Sequence, residues 1–390
     1  MRKRFTWLSL SLAIAVLTAS PSALARAALQ PVSPSSTQTT TNSLGFDEQL
    51  WGNLGQQGDR GALIRAIDNS LRYLNTTAAV RAYRQYPARG ITLTRVRSSL
   101  LRFRELLLTV NSPVELQAAI NREFVFYKSV GNDGRGTVYF TGYFEPIYAA
   151  SRRPSAEYRY PIYRRPANLA SWRKPHPTRA QLEGTDGMGL NSLLRGQELF
   201  WLRDRFEAFL VHIQGSSQLR LPDGKMVTVG YAGSTNYRYN SVGRELAKDG
   251  RLPLDGMTLP VMADYFRRNP NLMSQYLPRN KRFIFFKETY GQPAEGSIQV
   301  PLTAERSIAT DKSLMPPGAL ALIHAPIPFL NNGQLEYRKV SRYVLDQDTG
   351  SAIKGTGRVD YFIGTGQVAG IRAGSIGGRG ELYYPLLKNY

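Results

Sequence analysis

The 390-residue chain contains no cysteine, only three histidines, and 29 acidic residues against 50 basic ones. Without cysteine there is no disulfide framework, thiolate metal site, cysteine nucleophile or thiol-linked lipid anchor. A chain of this length can build a conventional core without such staples. His176, His212 and His324 lie far apart; they form no paired-imidazole metal motif, and each reads as structural. Gly-x-Ser-x-Gly and a phosphate-cradling glycine loop are missing as well. Carboxylates remain as the acid/base candidates, and neither metal nor cofactor is expected.

Long hydrophobic runs are also scarce. The one extended apolar stretch, Trp7 to Thr18, follows the basic run Arg2-Lys3-Arg4 and precedes Ala23-Leu24-Ala25. That pattern predicts a secretory signal peptide over 1–25 with an A-x-A cleavage site. Its apolar core is shorter than the roughly 20 residues a spanning helix needs. No later segment reaches that length, so the mature chain is expected to carry no transmembrane span and to reside in the periplasm or outer cell envelope.

The net charge is +21, a field that attracts polyanions. Nucleic acid is not expected, because the chain has an export signal and no zinc-finger spacing, basic zipper or RNP-like sequence. In a bacterial envelope the polyanion at hand is the cell wall, with its lactyl and peptide carboxylates.

Residues 26–45 are rich in Ser, Thr, Gln and Pro and read as a flexible linker. Leu63, Ile67, Leu71 and Leu74 recur at helical spacing, as do Val96, Leu100, Phe103 and Leu107. Ser112-Pro113-Val114-Glu115 announces a third helix, with a Ser N-cap, Pro at the first helical position and Glu at N3. After Val130 the texture turns to Gly, Tyr, Pro and short alternating runs, including 137–143, 206–213 and 226–231, which read as β structure. Helices are expected near 241–248 and 259–266, then short β runs at 320–324, 343–345 and 359–363. No internal repeat is present.

Two aspartates flank a Gly-rich turn near the end of the chain: Asp348-Thr-Gly-Ser-Ala-Ile-Lys-Gly355, then Arg358-Val359-Asp360-Tyr361-Phe362. Asp348 starts the turn, where a carboxylate can accept backbone N–H bonds. Asp360 sits in an apolar-flanked segment whose desolvation would raise its pKa. With Ala309-Thr310-Asp311 upstream, these motifs resemble the domain named for three aspartates, found in bacterial wall-active proteins. Phe140-Thr-Gly-Tyr-Phe-Glu-Pro146, Tyr160-Pro-Ile-Tyr-Arg-Arg-Pro166, Val211-His-Ile-Gln-Gly-Ser216, Gly230-Tyr-Ala-Gly233 and Pro316-Pro-Gly318 extend the likeness. Together, over about 135–375, they resemble the membrane-bound lytic murein transglycosylase A family.

The resemblance implies a mainly β fold with N-terminal helices: a double-psi β-barrel with a second β-domain inserted in it. Residues 46–145 and 292–390 would form helices plus barrel, and 146–291 the inserted domain. It also implies a lytic transglycosylase that acts on peptidoglycan glycan strands at the β-1,4 bond between N-acetylmuramic acid and N-acetylglucosamine, leaving 1,6-anhydromuramoyl ends. The family's catalytic aspartate maps onto Asp360, and its two other aspartates map onto Asp348 and Asp311. One carboxylate can serve such chemistry, because the attacking O6 is tethered to the substrate and only protons must be managed. Thr141, Tyr143, Gln214, Gly215 and Ser216 are expected to line the sugar groove, with Lys354 and Arg372 as partners for substrate carboxylates. The chain departs from the family's usual pattern at Ser217, often Gly, and at Ile371, often His. It also lacks the lipid-attachment cysteine. The competing readings are a hydrolase using Asp348 as a water-activating base and an inactive wall-binding module.

Overall fold

A computed structural model gives the architecture and describes residues 28–32, 45–52 and 57–388. The expected signal peptide and most of the expected linker lie outside the described residues. In chain order the elements begin with β1 (Leu29–Val32), α1 (Arg60–Leu74), α2 (Thr77–Arg84), α3 (Leu93–Thr109), α4 (Pro113–Glu123), β2 (Phe124–Ser129) and β3 (Val138–Glu145). The middle of the chain supplies β4 (Ile147–Ser151), β5 (Tyr160–Tyr163), α5 (Arg179–Glu183), β6 (Glu198–Leu202), α6 (Arg205–Gln214), β7 (Ser216–Arg220) and β8 (Met226–Ser234). It continues with α7 (Val242–Lys248), α8 (Leu259–Arg268), α9 (Met273–Tyr276) and β9 (Ile284–Glu288). Then come β10 (Ser307–Ala309), β11 (Leu320–Asn331), β12 (Gln334–Asp348), β13 (Arg358–Thr365), α10 (Gln367–Ser375) and β14 (Gly377–Leu387).

Two sheets divide these strands. The first runs β1-β2-β14-β11-β12-β10-β13-β3, and a further β14–β3 pairing closes six of its strands into a barrel. The second, β5-β6-β4-β7-β8-β9, is drawn wholly from the chain between β3 and β10. One apolar core joins the barrel to α1, α3 and α4. Phe103 of α3 lies 6.1 Å from Phe124 and 4.8 Å from Tyr343, ring centre to ring centre. Sealing each such side chain from water stabilises the fold by about 1.5–3 kcal/mol. Beside this core, the fully buried Arg306 pairs with Asp47 at 2.5 Å and with Asp59. The Asp47 carboxylate also accepts the Tyr343 N–H, so a charged clasp fastens the segment before α1 to the barrel.

Local chemistry explains the helix boundaries. Ser112 caps α4 by accepting the Glu115 N–H, while the Glu115 carboxylate reaches back to the Asn111 N–H. Two expectations are corrected. Residues 206–213 are not a strand but lie in α6: Asp204 accepts the Glu207 N–H, and Gly215 ends the helix at φ 83°. Its apolar residues Phe206, Phe209, Leu210 and Ile213 follow helical spacing, which outweighs the local alternation. The expected linker also contains β1, paired antiparallel with β2 and held by the buried Leu29.

Candidate active site

Strand register brings the separate motifs together. Asp348 of β12 pairs with Ala309 of β10, Ala309 pairs with Asp360 of β13, and Asp360 pairs with Thr141 of β3. These residues form one row around the barrel, and side chains opposite one another across neighbouring strands share a face. Thr141 donates its hydroxyl to Asp360 Oδ1 at 2.7 Å, and Arg358 in turn donates to Thr141 Oγ1 at 3.2 Å. Among the described residues Asp360 Oδ2 has no such partner, which leaves it as the oxygen able to carry a transferable proton. Burial pushes the Asp360 carboxyl up to about 6, the Asp348 charge adds to the rise, and Thr141 and Arg358 oppose it.

Asp348 is held differently. Its Oδ1 accepts backbone N–H bonds from Ser297 and Thr349, both at 2.8 Å. Burial still raises its pKa, although the two amides and the Lys312 charge pull the other way. Tyr143, two residues along β3 from Thr141, packs its ring 5.2 Å from that of Phe362. Its buried hydroxyl finds no hydrogen-bond partner among the described residues, and its ionisation is suppressed by burial and by the charges of Asp348 and Asp360. The site therefore joins one carboxyl poised near pH 6 to a second, amide-held carboxylate and a buried phenol that interacts with it.

The 3D domain profile matches residues 306–386, which hold both carboxylates, and the profile described as the MltA specific insert domain matches residues 139–287. By both matches the chain is similar to the membrane-bound lytic murein transglycosylase A proteins. The membrane-bound lytic murein transglycosylase A of Vibrio cholerae is 32% identical over 249 residues, 63% of this chain and 64% of that protein. The chain thus matches somewhat under two thirds of that curated relative's length. The crystal structure of the membrane-bound lytic murein transglycosylase from Agrobacterium tumefaciens superposes with a TM-score of 0.69 at 28% identity, covering 85% of this chain and 93% of that one. That of E. coli MltA with bound chitohexaose shares the fold, with a TM-score of 0.65 at 24% identity over 92% and 94% of the two chains.

The remaining residues marked in the sequence fall into two groups. Gln214, Gly215 and Ser216 sit where α6 turns into β7, and Gln214 Oε1 accepts the Phe144 N–H at 3.1 Å. They stand against the far end of β3, three residues along from Thr141. A Cβ on Gly215 would meet nothing within 4 Å, so its place follows from the left-handed turn alone. Ser217, which replaces the family's frequent glycine, is buried and donates to the Pro146 carbonyl; its hydroxyl is spent inside the protein.

Asp311 is a buttress of the Gly-rich turn. Burial raises its pKa, but the Gly355 amide and the Ser313 hydroxyl and amide outweigh this and hold it below its usual value. Lys354 is exposed and 3.8 Å from Asp311. The expectation that Arg372 binds a substrate carboxylate meets a different arrangement: it is paired at 2.5 Å with Glu305 and donates to the Pro328 carbonyl. Its charge serves to fasten α10.

Sequence reasoning assigned no role to Arg358, Lys312, Asp346 or Tyr239. Lys312 joins the buried Asp346 to the Asp348 carbonyl, and Asp346 also accepts from Thr310 and Tyr384 at 2.7 Å each. The signal for Asp346 is its i, i−2 spacing from Asp348 on one strand. The largely buried phenol of Tyr239 lies in the fields of Arg358 and Asp360, although it belongs to the segment after β8. No local pattern marks it. His212 is structural: it is buried, accepts the Ile284 N–H through Nδ1, and is kept neutral by desolvation. Among the described residues no cluster of three potential metal ligands occurs and no helix is long and apolar enough to cross a membrane.

Proposed function

We propose that this chain is an exported lytic transglycosylase of the bacterial envelope that cleaves peptidoglycan between N-acetylmuramic acid and N-acetylglucosamine. The observation that carries this reading is the row of Asp348, Asp360 and Thr141, with Asp360 Oδ2 unpartnered among the described residues and its carboxyl poised near pH 6. The protonated Asp360 donates to the glycosidic oxygen as the C1–O4 bond breaks. The muramoyl O6 attacks C1, and its proton passes to the Asp360 carboxylate. No water enters, and the acid is regenerated. Asp348 supplies a nearby negative charge that favours the protonated form of Asp360, and Thr141 fixes the carboxyl's orientation. In the same reading the barrel is double-psi, built from 46–145 and 292–390, and 146–291 is a β-domain inserted into it. The parallel β3–β13 and β10–β12 pairings and the confinement of the second sheet to one chain segment support that description. E. coli MltA holds chitohexaose; a glycan of this chain's own substrate would lie between barrel and second sheet, beside Gln214 and Tyr143.

Mass spectrometry of digested sacculi tests the reading. The purified protein is expected to release 1,6-anhydromuropeptides without added metal or cofactor. Asp360→Asn should fold and bind sacculi but lose about 10²- to 10⁴-fold in turnover, the usual worth of general acid/base catalysis. Reducing-end muramic acid as the sole product would make the protein a hydrolase. Sacculus binding with no product would make it a wall-binding module, and normal turnover of Asp360→Asn would remove that residue from the chemistry.

A further inference from the structure

The second-sheet region contains a cavity of about 1,060 Å³ that the reaction above does not use. Its cationic rim consists of Arg173, Lys174 and Arg195, with Trp172, His176 and Tyr237 in its wall. No aspartate or glutamate lines it, and none of the three cations has an ion-pair partner among the described residues. The wall is built rather than fortuitous. Trp172 donates its indole N–H to Asn168 and packs edge-on against His176 and Phe285. His176 exchanges hydrogen bonds with Asn236 at 3.1 and 3.3 Å, and Tyr237 donates to the His176 carbonyl at 2.6 Å.

These contacts also relate the cavity to the acid. Tyr237 is two residues before Tyr239, whose phenol lies in the field of Asp360 and Arg358. Two residues of chain span at most about 7 Å, so the segment that walls the cavity runs on directly to a residue within the field of Asp360. A ligand that pairs with all three cations carries several carboxylates, and its apolar parts cover the indole and proline wall. Its bulk must suit a volume at the upper end of the roughly 300–1,000 Å³ usual for small-ligand sites. A neutral sugar chain meets the last requirement but not the first.

We propose that this cavity binds the carboxylate-bearing stem peptide of the peptidoglycan strand, so that the protein reads the peptide as well as the glycan. The proposal rests on the functional reading above, since the peptide reaches the cavity as a branch of the strand being cleaved. Carboxylates pair with Arg173, Lys174 and Arg195, while alanine methyl groups and methylenes lie on Trp172.

The test compares the full chain with a variant carrying Arg173→Ala, Lys174→Ala and Arg195→Ala, all exposed positions whose side chains hold no structural contact. Calorimetry with a free stem tetrapeptide should show Kd raised about tenfold or more, the combined worth of three partly exposed charge contacts. On sacculi, the ratio of kcat/KM for intact wall to that for amidase-stripped glycan should fall by a similar factor. Equal tetrapeptide binding by the two proteins overturns the proposal. So does an equal loss on intact and stripped substrate, which would make the cavity a glycan subsite. If neither protein releases anhydro products, the functional reading fails, and the tetrapeptide titration still decides what the cavity binds.

Discussion

Asp360 is an acid because of its surroundings, and those surroundings can be tested without any substrate. Its folded-state pKa of about 6 lies above the ordinary carboxyl value, chiefly through burial. Between the two values the folded chain therefore holds a proton that the unfolded chain has lost, and stability falls as pH rises through that window. Removing the titration removes the loss. Asp360→Asn should match the parent near pH 3.5 and become more stable than it between pH 4 and 6, by on the order of 1–2 kcal/mol after allowance for partial exposure. Thermal unfolding of both proteins across pH 3–8 checks this, and a constant gap in Tm would mean that Asp360 is not desolvated. The apolar neighbours of Asp360 and the turn position of Asp348 could be read locally. The tasks of Asp311 and Arg372 could not, because a carboxylate that buttresses a turn and one that meets substrate look alike in a string. Only the Gly355 amide and the Glu305 carboxylate distinguish them. Tyr239 left no trace, since it reaches the site from another part of the fold.

Elements that satisfy themselves locally were legible, and those defined by partners were not. Helices α1, α3 and α4 announce themselves by apolar spacing and caps, whereas α2, of eight residues, is too short to repeat such a stripe. The β11–β12 hairpin turns at Asn332-Gly333, both at positive φ, the residue pair that tight hairpins favour. Its two strands pair with each other along the whole of β11, and each meets a further barrel strand over only three residues. Helix α10 shows how close such packing is. A Cβ placed on Gly142 would lie 2.7 Å from both the Cα and the carbonyl oxygen of Ala373, and backbone cannot swing aside as a flexible side chain does. Gly142→Ala should therefore push α10 away from β3 and cost about 1–3 kcal/mol of stability. It should also slow turnover, since Thr141 and Tyr143 flank the substitution. A denaturant midpoint equal to the parent's would show that α10 is not seated against β3.

At the scale of the whole molecule the +21 charge acts as a field more than as a set of contacts. Exposed charges are screened over about 8 Å at physiological ionic strength, so sacculus binding should weaken steadily as salt is raised. Binding at high salt equal to that in dilute buffer would assign the attraction to direct sugar contacts instead. The mainly β character and the N-terminal helices were legible from texture, but barrel closure was not, because β14 pairs with β2, β11 and β3 at three places along its length. The hydrogen bond from Thr141 to Asp360 spans 219 residues of chain, and the whole second sheet is made between them. On the proposed function, an enzyme that cuts the wall is dangerous while it is still being assembled. Here the dangerous part does not exist in any fragment that stops short of β13, because the hydroxyl and the acid it orients meet only when the ring of strands is complete. On that reading the topology works as a time lock: competence to cut arrives with the finished fold.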